Sequence, residues 1–326
     1  MKKVFSLFFL IAILFSCSNQ EENNIQKSAK INWQNAPGKP EIFLDGFLST
    51  GLFERDFTIT PDGNTIFYTI QLPKTNFSVI AYATKNINGY FINPEIASFS
   101  GVYADLEPFF HPNGNELFFA SNRPKNSDGK QPEEDFDIWK VTFQDGGFGK
   151  PERLPNNINS YTDDFYPAIA NNGNLYFTST RDNGIGKEDI FVARKTKNGY
   201  QDPVPLSEAI NSNVYDFNAF VSPNEDLIMF SSFGRAKGPG KGDMYFSTKT
   251  DSGTWKPAKL LSSPINSKYL DFCPYYDSEN QVLIFSSERT RFEGPQKITS
   301  LDSLNQVFAL PQNGMSDLYW VKWTPK

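Results

Sequence analysis

Short apolar stretches alternate with tight turns along most of the chain. In YTDDFYPAIANNGNLYFTSTR (161 to 181), two acidic residues precede an apolar run, an Asn-Asn-Gly turn and a second apolar run that ends in Arg181. Such a turn between two short apolar runs is typical of antiparallel strands, because Asn and Gly tolerate the positive φ values of hairpins. The pattern therefore predicts a β-hairpin.

The same hairpin is predicted at four further places, so the chain is built from repeats. The related stretches are ERDFTITPDGNTIFYT from 54, DLEPFFHPNGNELFFASNR from 105, DFNAFVSPNEDLIMFSSFGR from 216 and DFCPYYDSENQVLIFSSER from 271. Aligned on the turn, they recur every 51 to 59 residues. The acids that open the five copies are Glu54, Asp105, Asp164, Asp216 and Asp271, and the aromatic residues that close their second strands are Tyr68, Phe119, Phe177, Phe230 and Phe285.

Each copy continues with a third and a fourth segment. Large apolar and polar residues alternate in the third segment, and this period of two predicts a strand. The fourth segment begins at a proline, which has no N–H to donate, so we expect this strand to be the outer edge of its sheet. The third segments are residues 78 to 85, 137 to 143, 189 to 195, 243 to 249 and 317 to 323, and the prolines are Pro94, Pro151, Pro203 and Pro257.

Four antiparallel strands in each of five repeats, with no helices, predict an all-β fold, a five-bladed β-propeller. The fifth copy lacks its outer strand, whereas INWQNAPGKPEIFLDG (31 to 46), with Pro40, has the pattern of an outer strand without a blade. We expect this strand to complete the fifth blade and close the ring, which removes the free sheet edges. The propeller is predicted to be one domain of residues 31 to 326.

The N-terminal residues form a separate segment. A positively charged start and a 12-residue apolar stretch end in Leu-Phe-Ser before Cys17, in the order of a secretory signal. The end of this segment resembles a bacterial lipobox, which implies a signal peptide of residues 1 to 16, lipidation of Cys17 and a flexible linker of residues 17 to 30. The alternative is an ordinary secretory signal with a chance cysteine.

Acyl chains on Cys17 would anchor the protein while the rest of the chain stays outside the membrane. Ser18 resembles the residue that follows the cysteine in lipoproteins sent to the outer membrane. The next residues, Asn19-Gln20-Glu21-Glu22, resemble acidic export tags of surface lipoproteins in Bacteroidota, and a solvated linker explains them equally well. We expect an outer-membrane lipoprotein that faces the periplasm or is exposed at the cell surface.

Composition argues against several functions. The net charge of −6, the pI near 5.1 and the absence of a basic cluster argue against a nucleic-acid partner. His111 is the only histidine, so a multi-His metal site and most His-based triads are excluded, and no metal is expected. GRAKGPGKGD (234 to 243) lacks the residue order of a phosphate-binding loop, and no cofactor is expected. Cys273 is predicted to be a small buried apolar residue.

The repeats resemble a known family. The turns Pro61-Asp62-Gly63 and Pro112-Asn113-Gly114, the Ser/Thr-x-Arg endings and the Asp-Ile-Tyr-like third strands resemble WD40-like β-propeller repeats of the TolB type. The resemblance covers residues 50 to 323 and rests on five-fold recurrence. It implies a periplasmic or surface propeller that binds a protein, peptide or glycan, usually without catalysis. We expect a monomer.

Sequence order predicts two rings of charge at one mouth of the central channel. The acids that open the five copies lie in the loops that enter the innermost strands, and basic residues open the loops between the second and third strands. A residue that every blade requires is expected to tie one blade to the next, and direct contact with a ligand is the alternative. The basic residues are Arg123, Arg181, Arg235 and Arg289, with Lys74 the nearest in the first blade.

Residues that break the repeat on this face are the better candidates for recognition. Two long loops between second and third strands also depart from the repeat, a polar one at 124 to 136 and an apolar-rich one at 290 to 315. Long loops on a rigid scaffold often carry recognition, and we expect the second loop to cap the face, with a short helix near 300 to 308. The candidate residues are Glu107, Asp163, Trp139, Tyr166 and Tyr275.

Three functions are open at this stage. The residues that break the repeat form no set of nucleophile, base and oxyanion donors, which favours a non-catalytic binding or scaffold propeller. Its partner would be an envelope protein, a peptide or a glycan. One alternative is a glycoside hydrolase-like enzyme with a carboxylate pair in the central pocket. A structural component of an envelope complex is the other.

Overall fold

The computed structural model describes residues 27–126, 131–295 and 297–326, and these form five antiparallel blades around a ring. The predicted all-β propeller is thus confirmed. The one α-helix of the described residues, Leu301–Phe308, matches the short helix predicted near 300 to 308. No helix in these ranges is long and apolar enough to cross a membrane. Cys17 and residues 1 to 16 lie outside the described residues.

The innermost strands of neighbouring blades contact each other around the central axis. Each is hydrogen-bonded to the second strand of its own blade through a hairpin turn, as predicted. The innermost strands are Phe53–Ile59, Asp105–Phe110, Asp164–Ile169, Tyr215–Val221 and Asp271–Asp277. The second strands are Thr65–Leu72, Glu116–Ser121, Leu175–Ser179, Leu227–Phe233 and Val282–Ser287.

The third and outer strands complete each blade. The third strands are Phe77–Lys85, Asp137–Gln144, Asp189–Ala193, Asp243–Thr248 and Asp317–Lys322. The outer strands are Phe91–Ile96, Glu152–Arg153, Val204–Pro205, Lys259–Leu260 and Glu41–Ile42. Short additional strands are Ser28–Ala29, which extends the first blade, and Gly147–Phe148, Lys195–Thr196 and Gly199–Tyr200.

The ring closes as the sequence predicts. Glu41–Ile42 pairs antiparallel with the third strand of the fifth blade, with Glu41 opposite Trp320 and Ile42 opposite Tyr319. The strand is much shorter than the stretch 31 to 46. Pro37 and Pro40 lack the N–H that a longer ladder requires, and a 3-10 helix, Trp33–Asn35, precedes them.

A polar side chain after each outer strand clamps the third strand of that blade. Ser49 does so in the fifth blade, where its hydroxyl accepts from Leu318 N–H at 3.0 Å and lies 3.1 Å from the Phe43 and Leu318 carbonyls. In the second, third and fourth blades an asparagine amide accepts a third-strand N–H and donates to two carbonyls. These asparagines are Asn159, Asn211 and Asn266.

Every innermost strand carries a β-bulge that turns one residue into the left-handed region. The pairing register with the second strand shifts at this point in all five blades. A left-handed residue other than glycine is uncommon and costs free energy, so the same position in all five blades marks a feature of the fold. The five residues are Asp56, Glu107, Tyr166, Asn218 and Cys273, with φ between 49° and 62°.

The bulge N–H groups connect neighbouring blades. In four blades this N–H donates to a hydroxyl on the second strand of the preceding blade, since a buried N–H needs a partner. The blade that precedes Tyr166 has Ala120 at the hydroxyl position, and Tyr166 N–H donates instead to Glu107 Oε2 at 2.9 Å. The four hydroxyl pairs are Asp56 with Ser286, Glu107 with Thr69, Asn218 with Thr178 and Cys273 with Ser231.

An aromatic layer fills the channel on the hairpin-turn side of the bulges. Tyr275 packs edge-on against Phe57 and Phe220, with ring centroids 5.2 and 5.4 Å apart. Phe109, from a fourth innermost strand, packs against the neighbouring core clusters. The channel is therefore a packed core at this level.

Replacement of Ser49 tests the closure of the ring. We expect Ser49→Ala to lower the free energy of unfolding by about 1–3 kcal/mol, because Leu318 N–H stays buried without its acceptor. Urea denaturation measures the effect, and Ser278→Ala, at an exposed turn, is the control with a change near zero. Equal stability of the two variants would contradict the clamp.

Candidate functional site

The acid that opens each repeat lies in the seam between two blades. Asp164 Oδ1 accepts from Ser179 Oγ at 2.6 Å and from Arg181 Nη2 at 2.5 Å. Its Oδ2 accepts from the backbone N–H of Ser160 at 2.6 Å and from the Ser160 hydroxyl at 2.7 Å. Arg181 also donates to the Ile158 carbonyl and lies over Phe177, 5.2 Å from the ring centroid. Both oxygens of the Asp164 carboxylate therefore accept hydrogen bonds from the protein itself.

The arrangement recurs in three other blades. The aspartates are fully buried, and the arginine side chains are nearly so. The rings of acids and bases that the sequence placed at the channel mouth therefore lie in the seams, with the ion pairs Asp105–Arg123, Asp216–Arg235 and Asp271–Arg289. These contacts favour the interpretation that the charges hold one blade to the next.

The first blade departs from this pattern. Glu54 Oε1 accepts from the Thr50 N–H and hydroxyl, whereas Oε2 is buried without a hydrogen-bond partner among the described residues. Among the described residues, neither an arginine nor Lys74 forms an ion pair with Glu54. Burial raises the pKa of Glu54 to about 7, Thr50 opposes this shift, and Asp317 adds to it. Burial likewise raises the pKa of Asp317 to about 7. The seam that closes the ring thus contains two weakly acidic carboxyl groups.

The structure brings two of the five repeat-breaking candidates together. Glu107 and Tyr166 meet at the axis through the hydrogen bond between their bulges. Asp163 is half-buried beside the seam and accepts from Phe136 N–H at 3.0 Å. Trp139 is buried in the second blade, 5.4 Å from the Arg123 guanidinium, and Tyr275 belongs to the aromatic layer towards the opposite mouth.

A charged cluster occupies the axis at the level of the bulges. Arg55 Nε donates to Asp56 at 2.9 Å, and Arg55 Nη2 donates to Glu107 Oε1 at 2.8 Å. Asn218 Nδ2 lies 3.0 Å from Cys273 Sγ. Burial raises the pKa of Glu107 and Arg55 lowers it, and burial raises the pKa of the Cys273 thiol. Cys273 is buried, as predicted, but it contacts polar side chains.

Above this cluster a pocket of about 470 Å³ opens at the mouth where the innermost strands begin. Its floor is polar and its wall is mainly aromatic, with three ionisable side chains at the rim. The floor consists of Arg55, Glu107 and Asn218, the wall of Phe165, Tyr215, Phe217, Phe233, Leu270 and Phe272, and the rim of Glu188, Lys241 and Glu288.

The aromatic wall has a simple origin in the repeat. The residue immediately before the left-handed position is phenylalanine in the third, fourth and fifth blades, whereas the first two blades have Arg55 and Leu106 there. The pocket therefore lies off the axis, over the last three blades. The three phenylalanines are Phe165, Phe217 and Phe272.

Two carboxyl groups at the rim were missed by sequence reasoning. Burial raises the pKa of Glu188 to about 7, and Asp163 adds to this shift. Burial also raises the pKa of Glu288, and Lys241 opposes it. A signal for Glu188 was present. In the four blades whose third strand opens with an aspartate, the residue before that aspartate differs from blade to blade and is acidic only here. The equivalent residues are Phe136, Glu188, Gly242 and Ser316.

The loop 290 to 315 lies beside the pocket mouth and does not fill it. Its helix packs against the entry to the first blade so closely that a Cβ on Gly51 would lie 2.1 Å from the Phe308 carbonyl oxygen. Asn313 Nδ2 donates to the Gly51 and Phe308 carbonyls at 3.0 Å. Of the described loop residues, none lines the pocket. The other long loop is held in part by an ion pair between Lys125 and Asp135.

Comparison with known proteins identifies the fold. No family model matches the sequence, and no curated protein matches it. Solved structures with a similar fold include TolB from Acinetobacter baumannii, at 15% identity and a TM-score of 0.46. That alignment covers 82% of this chain and 54% of TolB, so the chain spans about half the length of that relative. The predicted likeness to TolB-type propellers is confirmed as a likeness of fold.

Two further structures align over most of both chains. An alpha-L-arabinofuranosidase from Lactobacillus brevis is 12% identical, with a TM-score of 0.50 and coverage of 86% of this chain and 93% of that chain. A protein described as a glycoside hydrolase is 9% identical, with a TM-score of 0.53 and coverage of 89% and 92%. Identities this low show the fold alone.

The adjacent acids Asp163 and Asp164 provide a matched pair of variants. We expect Asp164→Asn to lower the free energy of unfolding by about 3–5 kcal/mol, because Arg181 then stays buried without its anionic partner. Asp163→Asn is expected to cost less than about 1 kcal/mol, since the amide oxygen still accepts from Phe136 N–H. Chemical denaturation measures both, and equal effects would contradict the seam role of Asp164.

The acid pair at the closing seam predicts a pH dependence of stability. Glu54 holds its proton to about pH 7 in the folded protein but loses it near 4.5 when exposed. The folded state therefore binds more protons between these values, and stability falls as the pH rises through this window. Asp317, which faces Asp45 and Arg291, contributes with the same sign.

We expect Glu54→Gln to remove about 1–3 kcal/mol of the stability change between pH 5 and 8. Urea denaturation across this pH range measures the difference from the unmodified protein. Glu279→Gln, at an exposed turn, serves as the control. Parallel pH profiles for Glu54→Gln and the unmodified protein would show that the seam carboxyl group does not titrate as described.

Proposed function

We propose that this protein is a non-catalytic binding propeller whose ligand site is the pocket at the channel mouth. The observation that carries the proposal is the composition of the pocket. Its lining residues break the five-fold repeat, whereas the seam residues that maintain the repeat are occupied by contacts between blades. A volume of about 470 Å³ lies within the range of about 300–1,000 Å³ that is usual for ligand pockets.

The acids nearest the axis are poorly placed for catalysis. Both oxygens of Glu107 are occupied, Oε1 by Arg55 and Oε2 by the Tyr166 N–H. Asp56 is buried and pairs with Arg55. A general base or nucleophile must reach the substrate through a free oxygen. These contacts favour a structural role for the axial acids and a binding role for the pocket above them.

The expected setting is the cell envelope. In this proposal Cys17 carries the lipid anchor, residues 17 to 30 form the linker, and the propeller of residues 31 to 326 extends from the outer membrane as a monomer. The partner is a protein, a peptide or a glycan that presents a protruding group to the pocket. The N-terminal sequence pattern supports this location.

A glycoside hydrolase is the second candidate. Glu188 and Glu288 both line the pocket, and a pKa of about 7 would let Glu188 hold a proton near neutral pH. A protonated acid beside an ionised carboxylate is the pair that glycosidases use. The fold shared with an arabinofuranosidase and another glycoside hydrolase is compatible with this chemistry.

A glycan and peptide array with the soluble protein from residue 23 separates the two candidates. We expect saturable binding without release of reducing sugar, and at least tenfold weaker binding by Phe217→Ala, which removes an aromatic wall of the pocket. Phe308→Ala, at an exposed residue of the helix Leu301–Phe308, is the control and keeps the affinity.

Two outcomes would contradict the proposal. Release of reducing sugar that is lost in Glu188→Gln or Glu288→Gln would establish the hydrolase instead. If Phe217→Ala leaves both the affinity and the melting temperature unchanged, the ligand binds outside the pocket.

A further inference from the structure

We propose that the pocket recognises a basic side chain of a peptide or protein, an ammonium or guanidinium group carried on an apolar stem. This inference rests on the proposed function of the pocket and specifies the chemistry of its ligand. Aromatic rings and carboxylates meet at the same mouth, and the two together suit a cation whose methylene groups need an apolar contact.

The floor of the pocket offers no free positive charge to an anion. Arg55 is held by Asp56 at 2.8 Å and by Glu107 at 2.8 Å. Asp56 alone balances the guanidinium, so the floor is neutral or negative whether or not Glu107 carries a proton. An anionic ligand would have to break these buried pairs, at a large cost in free energy.

With both carboxyl groups ionised, the rim carries two negative charges, from Glu188 and Glu288, against the one positive charge of Lys241. Among the described residues, Glu188, Glu288 and Lys241 form no ion pair. Lys241 is exposed. Lys241 acts on Glu288, whereas Asp163 adds a second negative charge near Glu188. Glu188 therefore has no cationic partner of its own in the described structure, and a ligand cation would supply one.

Two rings of the wall already bind cations from the protein itself. The Arg55 guanidinium lies 5.2 Å from the centroid of Phe272, and the Lys187 ammonium lies 5.0 Å from that of Tyr215. Lys187 does not line the pocket. Ring faces attract cations through their quadrupole, so the remaining rings, Phe165, Phe217 and Phe233, can do the same for a ligand.

The wall also provides the apolar contact that a long basic side chain needs. Phe233 is 51% exposed and lines the pocket, so its ring is accessible to a ligand. The ring centroids of Phe233 and Tyr215 lie 5.8 Å apart, and both rings line the pocket together with Phe217. Packing of the stem of a lysine or arginine against these rings would place its cationic end at the rim carboxylates.

Three blocked dipeptides that differ in the charge of the second side chain test the inference by calorimetry. They are acetyl-Phe-Lys-amide, acetyl-Phe-Gln-amide and acetyl-Phe-Glu-amide. We expect the lysine peptide to bind at least tenfold more tightly than the glutamine peptide, and the glutamate peptide to bind most weakly. The variant Glu188→Gln/Glu288→Gln should lose the preference for lysine, whereas Glu279→Gln, at the opposite end of the channel, should retain it.

The possible results separate this inference from the function on which it rests. Equal or tighter binding of the glutamine or glutamate peptide would overturn the inference and leave a binding pocket. Binding of neutral oligosaccharides that depends on Phe217, with no binding of the peptides, would overturn it in favour of a glycan site. Absence of binding by any peptide or glycan would contradict the proposed function itself.

Discussion

The molecule depends on one backbone feature, the left-handed bulge in each innermost strand. It costs on the order of 1–3 kcal/mol at each of five residues other than glycine. A hydrogen bond from the bulge N–H to the neighbouring blade offsets this cost in part. The bulge also fixes which residues face the axis. The left-handed position forms the buried layer and supplies Glu107 and Asn218 to the floor of the pocket. The preceding position supplies Arg55 to the floor and three phenylalanines to the wall.

The repeat and its exceptions have separate tasks. Residues present in nearly every blade, such as Asp164 with Arg181 and the clamp formed by Asn159, join strands and seams. Residues that change from blade to blade, such as Phe217 and Glu188, line the pocket. The second blade shows how repeat and exception are linked. It has Ala120 where the other blades have a hydroxyl, so the Tyr166 N–H donates to Glu107 instead, and this oxygen of Glu107 is no longer free to act on a ligand.

Much of the fold could be predicted from sequence, because period-two strands, turn residues and five-fold recurrence are local signals. The closing strand followed from the same patterns, and the helix near 300 to 308 followed from the apolar residues of the long loop 290 to 315. The bulge could not be predicted, since a register shift leaves no mark in composition. For that reason Tyr275 was expected at the recognition face and lies in the aromatic layer. Trp139 points into its blade. Glu188 was overlooked because it lies outside the aligned hairpin, whereas Glu288 lies inside it, at the variable position of the Ser/Thr-x-Arg ending.

A crystal structure of the protein with acetyl-Phe-Lys-amide tests most directly how the pocket binds a basic side chain. We expect the lysine stem to lie against Phe217 and the ammonium to lie between Glu188 and Glu288. A peptide bound on the helix Leu301–Phe308, or at the opposite mouth beside Tyr275, would contradict this expectation.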